Sequence, residues 1–235
     1  EFVEAHGRYF LYSPVFTVLF APFAYLPAWL GPFAWNLFNY SLFFVAIFTL
    51  PQQFTQQQKC RMFLFLLLIL GQSLLSFQYN ITVAYLFLFA YTLLEKDRGF
   101  LAVLLIMISG CTKVYGIFEL ALLLCYPHVW RNFGYAVAMG IVLLTLPLIK
   151  IAPADLLPYY EEWCHSLAVH QSAGAYDSFF YARPIAAWTL PHFRALQIGM
   201  LGLLTLLFLG NFHKWSSFAF RAQALGILMG WVVLL

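Results

Sequence analysis

Charged residues are scarce in this sequence. Asp, Glu, Lys and Arg make up 9% of its 235 residues, whereas hydrophobic residues make up 63% and aromatic residues 20%. A soluble domain carries about 25% charged residues, because a large share of its residues contact water. The scarcity of charge excludes an ordinary soluble domain and predicts an all-α polytopic transmembrane helix bundle.

The sequence also lacks clusters of basic residues and paired cysteine motifs. Its 12 Lys and Arg residues are spread thinly, so no nucleic-acid partner is predicted. The cysteines form no Cys-x-x-Cys pair, which disfavours a disulfide framework or a zinc site. All four are interpreted as buried structural thiols: Cys60, Cys111, Cys125 and Cys164.

Apolar runs between polar segments predict the membrane helices. The runs cover residues 12–29, 33–50, 62–76, 80–94, 101–126, 133–151, 193–210 and 220 to the end. They predict about eight to nine membrane helices, the first two forming a tight hairpin through the Pro/Gly turn "LPAWLGP". Several runs are short for a helix that crosses ~30 Å of hydrocarbon. We therefore expect some helices to be short or broken around a cavity inside the bundle.

The run 101–126 allows two interpretations. It is long enough for one tilted helix, or it forms two short arms folded around "SGCTKVYG", in which Gly110 and Gly116 flank Lys113. The folded form is favoured, and it would place Lys113 and Tyr115 at a membrane surface. Glu119 lies in the same run, too far from Lys113 for an i,i+4 pair. It is expected either to be protonated or to pair with a base from another span.

Residues 152–192 form the one large polar loop. Acidic residues outnumber its single fixed positive charge, Arg183, and cytoplasmic loops are enriched in Lys and Arg. The loop is therefore predicted to be external, and the short basic loops between the other spans to be cytoplasmic. The basic segment "QQFTQQQKCR" also favours the cytoplasm, which conflicts with an external start of the first hairpin. A first helix that lies partly in the interface would remove the conflict.

The chain is predicted to form a single transmembrane domain over residues 1–235. It begins with Glu1 rather than Met and ends inside the apolar run "ALGILMGWVVLL". We therefore expect it to be a fragment of a longer membrane protein, truncated at both ends.

Polar motifs stand at the ends of the predicted spans in a particular order. "AHGRYFLYSPVF" leads through a Tyr-Ser-Pro step into the apolar hairpin, "SFQYN" places a Gln-x-Asn at the head of a helix, and "CTKVYG" brings a lysine after a further helix. A large outer loop follows. This order resembles glycosyltransferase family 87, the polyprenyl-phosphate-mannose-dependent membrane enzymes of the GT-C superfamily. Tyr12-Ser13-Pro14 stands where the family commonly has Tyr-Pro-Pro.

The resemblance implies an enzyme of a bacterial inner membrane. It would transfer a hexose, by analogy mannose, from a polyprenyl-phosphate donor in the lipid bilayer to a glycan or glycolipid acceptor at the outer face. Cationic side chains such as Arg8 and Lys113 would stabilise the charge that develops on the leaving phosphate. The sequence has no Asp-x-Asp pair of the kind that holds the metal of a nucleotide sugar, so neither a metal nor a cofactor is predicted.

The resemblance also suggests site residues. Residues expected to bind the donor and its phosphate are Arg8, Tyr12, Gln78, Asn80, Lys113 and Tyr115. Residues of a possible acceptor loop are His170, Gln171 and Arg183. The family's catalytic aspartate precedes the Tyr-Pro-Pro step, and residues 1–11 contain no Asp. It is therefore expected upstream of residue 1.

Two other functions fit buried charges and broken helices. One is a lipid-linked saccharide flippase or secondary transporter, and the other is a non-catalytic membrane subunit. An Asp in the sequence that precedes His6 would favour the transferase, because a transporter does not need that base.

Overall fold

A computed structural model describes residues 11–75, 79–172 and 193–234. Every regular element in these ranges is helical, which confirms the predicted all-α class there. The α-helices are α1 (Pro14–Ala24), α2 (Leu30–Phe48), α3 (Gln56–Leu75), α4 (Asn80–Glu95), α5 (Gly99–Thr112), α6 (Val129–Thr145), α7 (Leu156–Ser172), α8 (Phe193–Gly210) and α9 (Phe218–Leu234). A long 3₁₀ helix, here called the 3₁₀ arm, covers Val114–Cys125, and short 3₁₀ turns cover Leu146–Ile149, Pro153–Asp155 and Phe212–Lys214.

Helix lengths vary as the sequence suggested. Among the residues that the structure describes, Leu30–Phe48 and Val129–Ile149 are long and apolar enough, by length and composition, to cross a membrane. Shorter apolar helices of 10–17 residues include α1, α4, α5 and the 3₁₀ arm. The number of membrane crossings stays a prediction.

Two clusters of polar contacts mark opposite ends of the bundle. At the Lys113 end, the Lys113 ammonium donates a hydrogen bond to Asn80 Oδ1 at the start of α4. At the Glu95 end, Glu95 is the last residue of α4, and its carboxylate accepts a hydrogen bond of 2.7 Å from the hydroxyl of Tyr126, the residue after the 3₁₀ arm. Helix α4 and the 3₁₀ arm therefore run from the Lys113 end to the Glu95 end, and α5 runs back between them.

Helix α4 lies at the centre of the bundle. It is buried on all sides, which is typical of a helix that is hydrophobic all round. Helix α2 runs parallel to it, because the Trp35 and Tyr79 rings stack at 6.2 Å and the Thr82 hydroxyl donates a hydrogen bond to Asn39 Oδ1. Both polar side chains of that bond are buried, as polar contacts between apolar helices usually are.

An ion pair joins α9 to α4 at the Glu95 end. The Arg221 guanidinium contacts the Glu95 carboxylate with two hydrogen bonds, of 2.6 and 2.9 Å. It also lies 5.0 Å from the centre of the Tyr126 ring. This bidentate geometry is the strongest form of an Arg–carboxylate contact, and it ties α9, α4 and the end of the 3₁₀ arm together.

The first predicted span, 12–29, is wrong in its length and path. Helix α1 has 11 residues, and its Phe16, Phe20 and Phe23 rings all lie within 6.2 Å of the Trp35 ring. It begins beside Tyr79 and ends beside Gly31, where a Cβ would lie 2.8 Å from the Phe23 carbonyl oxygen. Both ends of α1 therefore lie at the Lys113 end, so α1 crosses this end of the bundle without running along it.

The folded interpretation of residues 101–126 is confirmed. Helix α5 ends at Thr112, Lys113 is extended with φ −134° and ψ 118°, and the chain returns as the 3₁₀ arm. A Cβ on Gly116 would lie 2.6 Å from the Ser109 carbonyl carbon, and one on Gly110 would lie 3.2 Å from the Ile117 backbone nitrogen. The two glycines permit the close approach of the arms, and we call this unit the hairpin.

Within the segment 152–192, predicted to be an external polar loop, residues 156–172 form α7, so the segment is not irregular throughout. Its external position stays a prediction. The Trp163 indole donates a hydrogen bond of 3.1 Å to the Leu11 carbonyl, and the Tyr160 hydroxyl donates one of 2.9 Å to the Leu144 carbonyl. These bonds hold α7 at the Lys113 end. Hydropathy missed the helix because α7 carries polar residues on several faces. Residues 173–192 lie outside the described residues.

The cysteines divide into two pairs. Cys111 and Cys125 are buried as predicted, whereas Cys60 and Cys164 are exposed, so the prediction of four buried thiols is wrong for the second pair. Cys60 lies on the polar first turns of α3, and Cys164 lies on α7. Both helix faces carry charged neighbours, which explains the exposure.

Candidate functional site

The structure brings four of the predicted site residues together at the Lys113 end. The Lys113 ammonium donates a hydrogen bond to Asn80 Oδ1 and lies 5.9 Å from the centre of the Tyr115 ring. Tyr12 contacts the residue before Asn80, since its hydroxyl oxygen accepts a 3.3 Å hydrogen bond from the Tyr79 N–H. We call Tyr12, Asn80, Lys113 and Tyr115 the Lys113 cluster.

The residue after Tyr12 fixes the chain onto the hairpin. The Ser13 N–H donates a hydrogen bond of 3.3 Å to the Thr112 carbonyl, and the Ser13 hydroxyl donates one to the Cys111 carbonyl. These carbonyls belong to the last turn of α5, where the C=O groups have no N–H donors within the helix. Ser13 supplies two donors for these carbonyls, and Pro14, a favoured first helical residue, begins α1.

The electrostatics of the Lys113 cluster favour an anion. Asn80 is the first residue of α4, and the N-terminal turn of a helix carries unpaired N–H groups and the positive end of the helix dipole. Lys113 adds a half-buried ammonium at the same place. A helix N-terminus combined with a cation is a common phosphate-binding arrangement. The geometry therefore suits a phosphate better than a neutral group.

Glu119 lies behind the Lys113 cluster, inside the hairpin. Its side chain is fully buried, and Oε1 accepts a hydrogen bond of 2.7 Å from the Ser109 hydroxyl. Its Oε2 atom has no hydrogen-bond partner among the described residues. The expected pairing with a base from another span is not seen within that part of the chain. Glu119 thus connects the two arms as a hydrogen-bond acceptor.

The remaining predicted residues are not located by the structure. Arg8, Gln78 and Arg183 lie outside the described ranges. His170 and Gln171 belong to the last turn of α7, and their side chains are not described. Their assignment to the donor site or to an acceptor loop stays a prediction.

Sequence reasoning missed Tyr79, which lies between the two predicted residues of the Gln-x-Asn motif. Tyr79 is 4% exposed, and its ring contacts the rings of Tyr12, Phe16 and Trp35. It is the residue on which α1, α2 and α4 meet. The available signal was its place between Gln78 and Asn80. It was overlooked because the functional interpretation of the motif rested on the polar groups of its two outer residues.

A set of residues on α7 was also missed. Tyr159, Glu162, Trp163 and Ser166 face a cavity beside Tyr12. Their spacing of i, i+3, i+4 and i+7 is the signature of one helix face. The periodicity is visible in the sequence, but the polar composition of the segment favoured a loop.

The fold and the Lys113 cluster define an apolar helical bundle that offers an anion-favouring cluster at one end. The sequence model of glycosyltransferase family 87 matches residues 10–235, and the chain belongs to this family. The family consists of membrane glycosyltransferases, which confirms the resemblance and the prediction of a glycosyltransferase. No curated protein and no solved structure matches the chain.

Proposed function

We propose that this glycosyltransferase transfers a hexose, by analogy mannose, from a polyprenyl-phosphate donor to the hydroxyl of a glycan or glycolipid acceptor. The observation that carries the proposal is the meeting of the Lys113 ammonium with the N-terminus of α4. Both groups attract an anion, and they lie where α4 begins and α5 ends. A donor whose phosphate lies at a membrane surface and whose prenyl chain lies in the bilayer fits such a place.

The chemistry assigns each group a part. The acceptor hydroxyl oxygen bonds to the anomeric carbon of the donor sugar while the bond from that carbon to the phosphate oxygen breaks. The electron pair of the broken bond leaves with the phosphate, and the hydroxyl proton passes to a carboxylate base. Lys113 and the α4 N-terminus stabilise the charge that grows on the phosphate.

The distribution of charge supports a site at the outer face. The Glu95 end carries most of the basic side chains, and cytoplasmic segments of membrane proteins are enriched in Lys and Arg. These side chains are Lys59, Arg61, Lys96, Arg98, Arg131, Lys214 and Arg221. The Glu95 end is thus assigned to the cytoplasm and the Lys113 end to the outside of a bacterial inner membrane. The path of α1 is compatible with this orientation, since the described residues at both ends of α1 lie at the Lys113 end.

The test uses the purified full-length protein in liposomes, with polyprenyl-phosphate mannose as donor and chelator in place of added metal. We expect transfer under these conditions and none from a nucleotide sugar supplied alone. Lys113→Met keeps the bulk of the side chain but deletes its charge. It should lower kcat/KM by roughly one to three orders of magnitude, because a lost contact to developing charge in such sites is worth about 2–4 kcal/mol.

Lys96→Met is the matched control, since it makes the same change at an exposed position of the Glu95 end. It should transfer sugar at the wild-type rate. Full activity in Lys113→Met would remove the phosphate role. Translocation of the intact lipid-linked sugar with no transfer would instead favour the flippase or transporter.

A further inference from the structure

A cavity lies beside the Lys113 cluster, and the reaction described above assigns no role to it. It has a volume of about 370 Å³ and is bounded by α1, by the 3₁₀ turn Leu146–Ile149 with the two residues that follow it, and by α7. Small-molecule sites are typically clefts of ~300–1,000 Å³. The cavity is therefore large enough to receive part of a substrate.

The walls of the cavity combine three kinds of side chain. Helix α7 contributes Tyr159, Trp163 and Glu162 to the lining. Lys150 also lines the cavity, and its ammonium lies 5.7 Å from the centre of the Tyr25 ring. Hydroxyl groups come from Thr17 of α1 and from α7. One acidic and one basic group balance each other, so the cavity does not select an anion as the Lys113 cluster does. Such a lining suits a neutral molecule that has both hydroxyl groups and apolar C–H faces, which is the chemistry of a sugar.

Tyr12 links the cavity to the Lys113 cluster. Its side chain lines the cavity, and its hydroxyl oxygen accepts the hydrogen bond from the Tyr79 N–H next to Asn80. A molecule in the cavity would thus lie against Tyr12, which belongs to the Lys113 cluster. Two substrates that must react with each other need adjacent sites of this kind.

The wall formed by α7 is held in place from both sides. The Trp163 indole donates its hydrogen bond to the Leu11 carbonyl, immediately before Tyr12, and the Tyr160 hydroxyl bonds to the Leu144 carbonyl of α6. These two bonds fix the rotation of α7, so that Glu162 and Tyr159 face the cavity. A binding wall whose orientation is fixed by further hydrogen bonds is expected at a specific site.

We infer that this cavity is the acceptor subsite, and that it binds a neutral sugar unit of the acceptor. The inference rests on the proposed function. The Glu162 carboxylate accepts hydrogen bonds from sugar hydroxyls, the Lys150 ammonium donates to a sugar oxygen, and the rings of Tyr159 and Trp163 pack against the apolar face of the sugar. The reacting hydroxyl then points past Tyr12 towards the donor.

The test measures transfer by the full-length protein from polyprenyl-phosphate mannose to the synthetic acceptor octyl α-D-mannopyranoside. Glu162→Gln should raise the KM for this acceptor about tenfold or more, because a hydrogen bond to a charged group is lost. Its kcat and its KM for the donor should stay within about threefold of wild type. Glu161→Gln is the matched control, since it removes the same charge from the adjacent exposed residue, which does not line the cavity.

Binding is measured separately by saturation-transfer NMR on the protein in lipid nanodiscs. The sugar-ring protons of octyl α-D-mannopyranoside should receive saturation from wild type and Glu161→Gln, and clearly less from Glu162→Gln. Equal signals in all three proteins would overturn the subsite whether or not transfer occurs. A collapse of kcat in Glu162→Gln with an unchanged acceptor KM would also overturn it, since Glu162 would then act as the base. Binding that depends on Glu162 without any transfer would leave the subsite standing and contradict the proposed function.

Discussion

Lys113 and Glu119 belong to one hairpin but lie in different surroundings. Lys113 is half-buried and contacts Asn80 and Tyr115, whereas Glu119 is fully buried and contacts the Ser109 hydroxyl. A buried carboxylate that carries charge without a cationic partner is costly. The lysine thus avoids the apolar interior because the chain turns at that residue, and the glutamate is accommodated by a hydrogen bond.

If Glu119 serves as a neutral hydrogen-bond acceptor, an amide should replace it. Glu119→Gln keeps the shape and the oxygen that accepts from Ser109, and we expect near wild-type transfer and thermal stability. Glu119→Ala leaves the Ser109 hydroxyl unsatisfied inside the hairpin and should lower Tm by roughly 4–8 °C. Thermal unfolding in detergent measures both variants. A Glu119→Gln protein as unstable as Glu119→Ala would mean that the ionised carboxylate is needed.

The residues of the Lys113 cluster differ in how far the sequence foretold them. The order of the motifs pointed to Tyr12, Asn80 and Lys113, because polar residues at the ends of apolar helices stand out against their neighbours. Tyr79 did not stand out by its chemistry, since an aromatic residue resembles its apolar neighbours, and only its place inside the Gln-x-Asn motif marked it. Its role is visible only when three helices are placed around it.

At the scale of the helices, the hairpin depends on a backbone contact more than on side chains. A Cβ on Gly116 would meet the Ser109 carbonyl carbon at 2.6 Å and the Gly110 nitrogen at 2.7 Å. Backbone atoms in a helix cannot move aside as a flexible side chain can. Gly116 therefore sets the distance between the arms and, through it, the position of Lys113.

Gly116→Ala should force the arms apart and displace Lys113 from Asn80. A displacement of about 1 Å at a positioned group costs up to ~10²-fold in rate, so we expect transfer to fall at least about tenfold. Gly134→Ala on α6 is the control, since nothing lies within 4 Å of its added Cβ, and alanine favours a helix. The measurement is the rate of sugar transfer by both variants at equal expression. Equal activity would show that the hairpin tolerates a wider spacing.

Helix α1 and helix α7 show why apolar runs alone do not give a topology. The run 12–29 has the composition of a membrane span, but its aromatic stripe packs on Trp35 and holds it across the end of the bundle. Helix α7 has a polar composition and was interpreted as a loop. The composition of a segment indicates whether it contacts apolar or polar surroundings. The direction of its helix in the bundle depends on contacts with residues distant in sequence.

At the scale of the whole molecule, the two ends of the bundle differ in charge and in their exposed thiols. Cys60 follows Lys59, whose ammonium donates a hydrogen bond of 2.6 Å to the Leu50 carbonyl at the Glu95 end. Cys164 follows Trp163, which is bonded to Leu11 at the Lys113 end. Both thiols are exposed, while those of Cys111 and Cys125 are buried. The native chain thus carries one accessible reporter at each end.

These reporters test the orientation that the basic Glu95 end predicts. In a Cys111→Ala, Cys125→Ala background, Cys60→Ser leaves Cys164, and Cys164→Ser leaves Cys60. Because basic segments stay in the cytoplasm, an impermeant maleimide added to intact spheroplasts should label the protein that retains Cys164. It should label the one that retains Cys60 only after lysis. The reverse pattern would place the Lys113 cluster in the cytoplasm and contradict an outward-facing transferase, and labelling of both thiols from one side would contradict their placement at opposite ends.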